Sequence, residues 1–391
     1  MGSRPANGVT RRQALKRLSG GCIAAPFINR GRFQLFAQAT TQYSERAVRL
    51  VRESLVIDML NQFLYRLDLQ SQLHQWLSKP GAFTAADFQR FIDSGINAIN
   101  FGHGASTYED GIRLFADWNS FVAQYPDRLL RIGSAADFAR AKSTGHYGIL
   151  FGLQNAAHFR KPDDVDVFYG LGQRVSQLTY NFRNLIGDGA FEPHDGGISE
   201  FGATIVERMN RVGMAVDCGH AGDRTMLDAF AMSKRPVIIS HGNCRALNAG
   251  HPRCVTDEAI RRMAATGGVI GINFISFMVK PHEPVTVDDV VDHFDHVASL
   301  VGIEHVGIGS DFGLESNDFA PPDVVANLLQ RSDKRYRVHH REAVADLAGE
   351  KRIYVLTEAL IRRKYTDAHI RLILGENWRR TLDSIWNAPV A

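Results

Sequence analysis

Short apolar runs recur along the chain, each entered from a Gly-marked or helix-like segment and each leaving through polar residues. They fall at Leu55 to Met59, Asn97 to Phe101, Gly148 to Leu153, Val175 to Thr179, Met214 to Asp217, Pro236 to Ser240, Val269 to Phe274 and Val306 to Ser310. Between them lie stretches with apolar positions at helical spacing, such as Phe201 to Arg211 and Asp257 to Ala265. Strands alternating with amphipathic helices predict a parallel sheet with crossover connections. Eight of them predict a (β/α)8 TIM-type barrel, an α/β protein in a single domain. An open, doubly wound sheet shares the alternation but brings a dinucleotide fingerprint. Here Gly307-Ile308-Gly309 is followed by Gly313, one position late, with Asp311 where a phosphate would have to approach.

Two connections stand out. Residues 184–199 are rich in Gly and Asp and follow the fourth strand. Residues 313–350 are charged, contain Pro321-Pro322 and His339-His340, and follow the eighth. Both leave the sheet on the face where barrel enzymes assemble their sites, so each is a candidate lid. The stretch Asp367 to Trp386 has helical spacing and is expected in the outer shell. No internal repeat or low-complexity tract interrupts this order.

Composition agrees with an ordinary globular enzyme: 391 residues, 45% hydrophobic and 22% charged, which excludes disorder, collagen and coiled coil. The net charge of +3 is carried by the N-terminal segment, where seven Lys/Arg precede any acidic residue. Without that segment the acidic residues outnumber the basic ones. No Arg/Lys stripe remains to attract nucleic acid or an anionic membrane. Arg11-Arg12 ahead of the apolar stretch Leu18 to Ile28, then Ala37-Gln38-Ala39, read as a twin-arginine export signal over residues 1–39 with a small-residue cleavage site. That order predicts a periplasmic protein whose barrel occupies residues 40–391. No stretch reaches 18 uninterrupted apolar residues, so no stable membrane span is expected. Cys22 would leave with the signal. Cys218, Cys244 and Cys254 match no zinc knuckle and read as small buried thiols, with Cys244 to Cys254 left as a candidate bridge.

In a barrel the chemistry lies at the C-terminal strand ends. These ends present Asp58 to Gln62, Gln154-Asn155, Tyr180-Asn181, Asp217-Cys218-Gly219-His220, Ser240-His241 and Ser310-Asp311. Two histidines in register on successive strands can converge on one zinc ion through nitrogens about 2.0–2.1 Å from it. A carboxylate from the eighth strand can complete such a site or act as its base. His103, His158, His194 and the pair His293/His296 lack that register and read as surface or supporting residues. Asp292, Asp295 and Glu283 read as solvated helix charge.

The same residues carry a resemblance. Gly213 to His220, Pro236 to His241 followed by Arg245-Ala246-Leu247, Gly267 to Phe274 and His305 to Phe312 are similar to the membrane (renal) dipeptidase family of the amidohydrolase superfamily. Leu178 to Asn181, Asp195-Gly196-Gly197 and Gly375-Glu376-Asn377 agree with it, and the likeness runs over most of residues 50 to 385. It implies a zinc-dependent barrel hydrolase, commonly a dimer. His220 and His241 match the two histidine ligands of one metal. Asp311 matches the acid that takes the proton from the attacking water, and Arg253 the arginine that grips the substrate's terminal carboxylate. The chain departs from the family elsewhere. Leu60 and Gln62 stand where the strand-one His-x-Asp ligands belong, Gln154 replaces the bridging glutamate, and Tyr180 replaces the histidine near the scissile carbonyl. The expectation is therefore a hydrolase of dipeptides or small N-acyl amino acids holding a single Zn2+ on His220 and His241. Asp311 and Tyr180 would be catalytic, and Arg253, Gln154 and Asn181 would bind substrate. The alternative is a metal-poor relative that binds a peptide-like ligand or modifies it without hydrolysis.

Overall fold

The computed structural model describes residues 43–64 and 66–387; the segment read as an export signal lies outside the described residues. Nine parallel strands are present among the described residues: β1 Ile57–Asn61, β2 Ala98–His103, β3 Leu129–Ile132, β4 Tyr147–Leu153, β5 Gln173–Gln177, β6 Ala215–Asp217, β7 Ile239–Gly242, β8 Ile270–Ile272 and β9 Val306–Ile308. Eight of them run in the order β6-β5-β4-β2-β1-β9-β8-β7. The parallel bridge between Asp217 and Ile238 joins the two ends of that row, and the (β/α)8 barrel follows. Tyr43 to Ala391 forms one compact unit.

The ninth strand is a difference from the sequence reading. β3 pairs with the Tyr147 to Leu150 half of β4, while β5 takes the same edge from Phe151 onward. Only Leu129 and Ile132 of β3 are buried, at its two ends. Four residues with an apolar pair and an exposed arginine carry neither the alternation nor the continuous apolar run that marks a strand. The barrel strands are legible because both faces are covered, one by the interior and one by helices, so every residue of β1, β4, β6, β7, β8 and β9 is buried.

Both predicted crossover helices form. Glu200–Val212 starts at Ser199, whose hydroxyl accepts from Gly202 N, and stops at Gly213 in the left-handed region, φ 82°. Asp257–Ala265 starts at Thr256, which caps Ala259 N. The expected C-terminal helix forms, running Asp367–Arg371 and Asn377–Asn387 through a π-helical turn over Leu372 to Glu376. The cause is close packing on the barrel floor. A Cβ at Gly375 would lie 2.4 Å from the Leu55 carbonyl oxygen, and Trp378 is buried with its indole N–H donating to Ile308 O at 3.1 Å.

The 184–199 loop is fastened rather than free. Asp188 pairs with Arg183, and Asp195 accepts from Arg224 N and Thr225 N at the start of helix Asp223–Met232. The 313–350 excursion contains helix Pro322–Arg331, which buries no residue of its own, and then returns across the C-terminal face of the barrel.

Three sequence expectations about single residues are settled here. Cys218, Cys244 and Cys254 are buried free thiols. His158 and His293 are fully buried rather than at the surface. His158 donates from Nε2 to Gln173 Oε1 at 3.1 Å, and His293 accepts from Cys244 N at Nδ1 and donates from Nε2 to Val279 O. Burial pushes their pKa values down to about 3 and about 4. Such a histidine stays neutral in the fold while the unfolded chain takes up a proton near pH 6.5. Stability is therefore complete above about pH 6.5 and drains as pH falls toward the folded values. Urea unfolding at pH 6.5 and pH 5 is expected to differ by roughly 2–4 kcal/mol from these two residues; equal stability at the two pH values would contradict their buried, neutral state.

Candidate active site

The site is built around the closure of the barrel. The Asp217 carboxylate ends β6 and accepts, at Oδ1, the backbone N–H of Gly219 at 3.0 Å and of Ser240 at 2.8 Å. One oxygen thereby holds the turn that carries His220 against the strand that carries His241. The two imidazoles meet with Nε2 atoms 3.0 Å apart.

Hydrogen-bond chemistry fixes their protons. His220 Nδ1 lies 2.7 Å from Asn181 Oδ1, and an amide oxygen only accepts, so the proton of His220 is on Nδ1. His241 Nε2 lies 3.1 Å from Arg253 Nη2, and a guanidinium only donates. Its proton is therefore on Nδ1, 3.0 Å from Ser240 Oγ. His220 Nε2 then carries a lone pair that faces His241 Nε2, while the one lone pair of His241 Nε2 accepts the Arg253 Nη2 donor, whose place a cation between the rings would take. Burial first, and the Arg253 charge second, hold both imidazoles well below the ordinary histidine range, so both rings are neutral. A separation of 3.0 Å fits two ligands of one ion at bond lengths of about 2.0–2.1 Å.

Asp311 completes the polar floor. Its Oδ2 is 3.9 Å from His241 Nε2 and receives Asn273 Nδ2 at 3.0 Å, while Gln62 Nε2 reaches Oδ1 at 3.5 Å. The residue adopts φ 67°, uncommon for a side-chain-bearing position, and its N–H is tied to Leu60 O. Burial raises its carboxyl to about 7, with Arg253 opposing. Among the described residues no group of three His, Cys, Asp or Glu closes around one point. A second ion does not fit. Leu60 is buried and apolar, and a Cβ placed on Gly102 would meet Gln154 Nε2 at 2.6 Å and Gln62 Nε2 at 3.0 Å. Two amide donors thus face the position where acidic ligands would be needed.

A cavity of about 500 Å³ opens over these groups, lined among others by Gln62, Gln154, Tyr180, His220, Arg253 and Asp311. Arg253 is 1% exposed, and its Nε and Nη1 have no partner; Gln154 Nε2 is likewise buried and unpartnered. Tyr180 stacks on His220, with ring centroids 4.0 Å apart. The residue is 42% exposed, and its hydroxyl meets the Tyr336 hydroxyl. Burial, then Tyr336 and Asp311, hold that phenol above its ordinary range, so it stays a donor.

The structure brings together Gln154, Tyr180, His220, His241, Arg253 and Asp311 as the sequence led one to expect. Asn181 has a different position. Its oxygen is used by His220 and its Nδ2 donates to Tyr336 Oη at 2.6 Å, so both halves of the amide are engaged within the protein. Sequence reasoning missed Tyr336, His251 and Asn273. Asn273 stood in a strand-end motif, whereas Tyr336 sits between two arginines in a charged excursion that offers no periodic signal.

A barrel with paired strand-end histidines and an aspartate after β9 has the layout of an amidohydrolase-type enzyme. Residues 44–350 match the membrane dipeptidase family (Peptidase family M19), and the chain belongs to that family. It is 32% identical over 270 residues to dipeptidase verJ of Clonostachys rogersoniana, covering 68% of this chain and 63% of that one. It is 37% identical over 218 residues to dipeptidase tcpJ of Claviceps purpurea (strain 20.1), covering 53% and 51%. The chain thus spans 63% and 51% of the length of these two relatives. Among solved structures, an amidohydrolase from Pseudomonas aeruginosa superposes with a TM-score of 0.73 at 29% identity, covering 87% of this chain and 99% of that one.

Arg253 supplies a prediction that needs no assay of activity. A buried guanidinium with unpartnered donors costs stability until an anion arrives. Arg253→Met is expected to stabilise the ligand-free protein by about 1–3 kcal/mol in urea unfolding. It should also abolish the rise in melting temperature that millimolar N-acetyl-alanine gives the parent protein. A destabilised variant that still responds to the ligand would show that those donors are not waiting for a carboxylate.

Proposed function

We propose that this protein is a dipeptidase-type metallohydrolase with a mononuclear site, cleaving dipeptides or related small N-acyl amino acids. The observation that carries the reading is the approach of the His220 and His241 Nε2 atoms, 3.0 Å apart, with the Nδ1 sides of the two rings bonded to Asn181 and Ser240. These two side chains would hold the ion, for which zinc suits a nitrogen-rich donor set. Bound there, such an ion supplies Lewis acidity that activates water near neutral pH and polarises a carbonyl.

The remaining steps belong to the chain's own residues. Arg253 receives the substrate carboxylate on a donor without a protein partner, Nε–H or Nη1–H, and so anchors the substrate in the cavity. Asp311, with a pKa of about 7, is poised to take a proton from the attacking water and return it to the leaving amine. Tyr180 keeps its proton and donates to the oxygen on which negative charge develops. Gln154 Nε2, buried and unpartnered, donates to a substrate carbonyl. The N-terminal segment fits this picture as a twin-arginine signal, since that route carries folded, metal-loaded enzymes to the periplasm. A homodimer is the assembly that the family resemblance favours.

One observation favours the second reading, a metal-poor protein that binds a peptide-like ligand. Arg253 Nη2 lies 3.1 Å from His241 Nε2 and sets a permanent positive charge beside the ion's position. Elemental analysis separates the two readings. The mature protein is expected to hold about one equivalent of zinc, lost in His241→Ala together with hydrolysis of a dipeptide panel. Asp311→Asn should keep the metal and lose roughly 10²–10⁴-fold in kcat. No bound metal after zinc is supplied would overturn the hydrolase in favour of the ligand-binding protein.

A further inference from the structure

The excursion after β9 carries a helix whose apolar face is only half covered. No residue of Pro322–Arg331 is fully buried, yet Val324, Val325, Leu328 and Leu329 recur at helical spacing and are each half-buried. Leu328 is the member of that stripe that lines the active-site cavity, and Ser332 lines it one turn later. Ile275, Phe277 and Met278 line the same cavity from the short helix Ser276–Val279 and the residue before it. The Tyr336 ring joins them, 5.8 Å from that of Phe277. The wall is fastened to the residues that meet the substrate. Asn248 Nδ2 donates to Phe277 O at 3.0 Å and Met278 O at 3.2 Å, and Cys254 Sγ lies 3.3 Å from Met278 O. The short helix is thus bonded to both ends of the 248–254 loop that carries Arg253. Tyr336 O accepts from His251 Nε2 of that loop at 2.9 Å. On the other side, Met278 Sδ and Asp311 Oδ2 share one donor, Asn273 Nδ2, at 3.7 and 3.0 Å.

We infer that this wall is a subsite for a large apolar side chain on the carboxylate-bearing residue of the substrate, with Leu328 supplied to it by the excursion. The inference rests on the reading of Arg253 as the partner of that carboxylate and extends it to the kind of residue that bears the group. In an amino acid the carboxylate and the side chain leave the same carbon. A carboxylate held on Arg253 therefore leaves the side chain against whatever adjoins that loop, and what adjoins it is the apolar wall. Leu328 and its half-buried neighbours lose further contact with water when such a side chain enters, which favours Leu, Met or Phe over Gly or Ala. An acidic side chain is disfavoured, because Glu342 lines the same cavity and its main-chain oxygen accepts Ser276 N at 2.8 Å, at the start of the short helix.

The test titrates the mature protein with three inert carboxylates, followed by ligand-observed NMR. Propanoate, 3-phenylpropanoate and succinate are the skeletons of alanine, phenylalanine and aspartate without the amine, so binding is read with no bond to hydrolyse. 3-Phenylpropanoate is expected to bind about 10–100-fold more tightly than propanoate, and succinate no more tightly than propanoate. Leu328→Ala is expected to remove about 3–10-fold of that advantage and leave propanoate unchanged. Leu329→Ala, on the same helix face but outside the cavity lining, should change none of the three affinities. Arg253→Met should lose propanoate and 3-phenylpropanoate alike. Equal affinities of the parent for those two ligands would overturn the inference, as would succinate binding tightest. A loss in Leu329→Ala equal to that in Leu328→Ala would also overturn it, by reducing the effect to placement of the helix. If none of the three binds, the Arg253 reading falls and the inference with it. Failure of the protein to hydrolyse a dipeptide panel overturns the hydrolase alone, and these affinities still decide the subsite.

Discussion

The site depends on how the barrel closes between β6 and β7. These strands share one bridge, Asp217 with Ile238, flanked by the Cys218 N–H to Ile238 O and Ile238 N–H to Val216 O bonds. A seam this short is set by the Asp217 carboxylate, whose Oδ1 gathers the N–H groups of Gly219 and Ser240. Burial raises the pKa of that acid, and the donors around it oppose the shift. Across the barrel Asp58 does the same work between β1 and β9, accepting Ser310 N and Asn61 Nδ2. The two aspartates turn strand ends into fixed platforms, His220 and His241 on one and Asp311 on the other.

The groups on those platforms are each held in a state they would leave if free. Two neutral imidazoles meet Nε2 to Nε2, a guanidinium is buried with two unpartnered donors, and an aspartate sits at positive φ with its carboxyl raised toward neutrality. These costs fall within one cavity, where the rest of the fold makes them tolerable. Buried polar atoms without a partner also occur away from the cavity, at Ser54, Trp118, His158, Asn248 and Trp386 among others. What sets the pocket apart is that its unpartnered groups converge, and the signs of the charges say what they would accept. An unpaired arginine and amide donors ask for anionic and carbonyl oxygens, and the facing nitrogens ask for a cation.

How much of this the sequence reveals follows from what each residue answers to. The barrel strands were legible because continuous burial leaves continuous apolar runs, and His220 and His241 because strand-end register is a matter of counting. β3 was not legible, since four residues packed at one half of a strand edge need only two apolar side chains. Asn181 stands at a strand end, but the bonds of its amide to His220 and Tyr336 were not legible, because position does not say which way a short amide turns. Tyr336 escaped altogether. Its importance comes from 155 residues of separation from Asn181, bridged by a loop whose composition reads as solvent-exposed.

The departures from the family pattern also gain a physical account. Leu60, Gln62 and Gln154 lie at the ends of β1 and β4, while the supports of the histidine pair come from elsewhere: Asn181 after β5, Gln177 in β5, Ser240 in β7 and Tyr336 in the excursion. The contact between the two halves is Gln62 Nε2 to Asp311 Oδ1, at the 3.5 Å limit of a hydrogen bond. Losing acidic ligands on one side removes charge that would have balanced a second cation, yet it leaves untouched the bonds that fix His220 and His241 as lone-pair donors. Arg253 is the residue that links the halves electrostatically, since its charge bears on both imidazoles and on Asp311. With fewer carboxylates nearby, that charge is less compensated, and the pocket's demand for an anionic ligand is correspondingly stronger. Where acidic ligands are absent, Arg253 is thus the cation whose charge bears on His220, His241 and Asp311 alike.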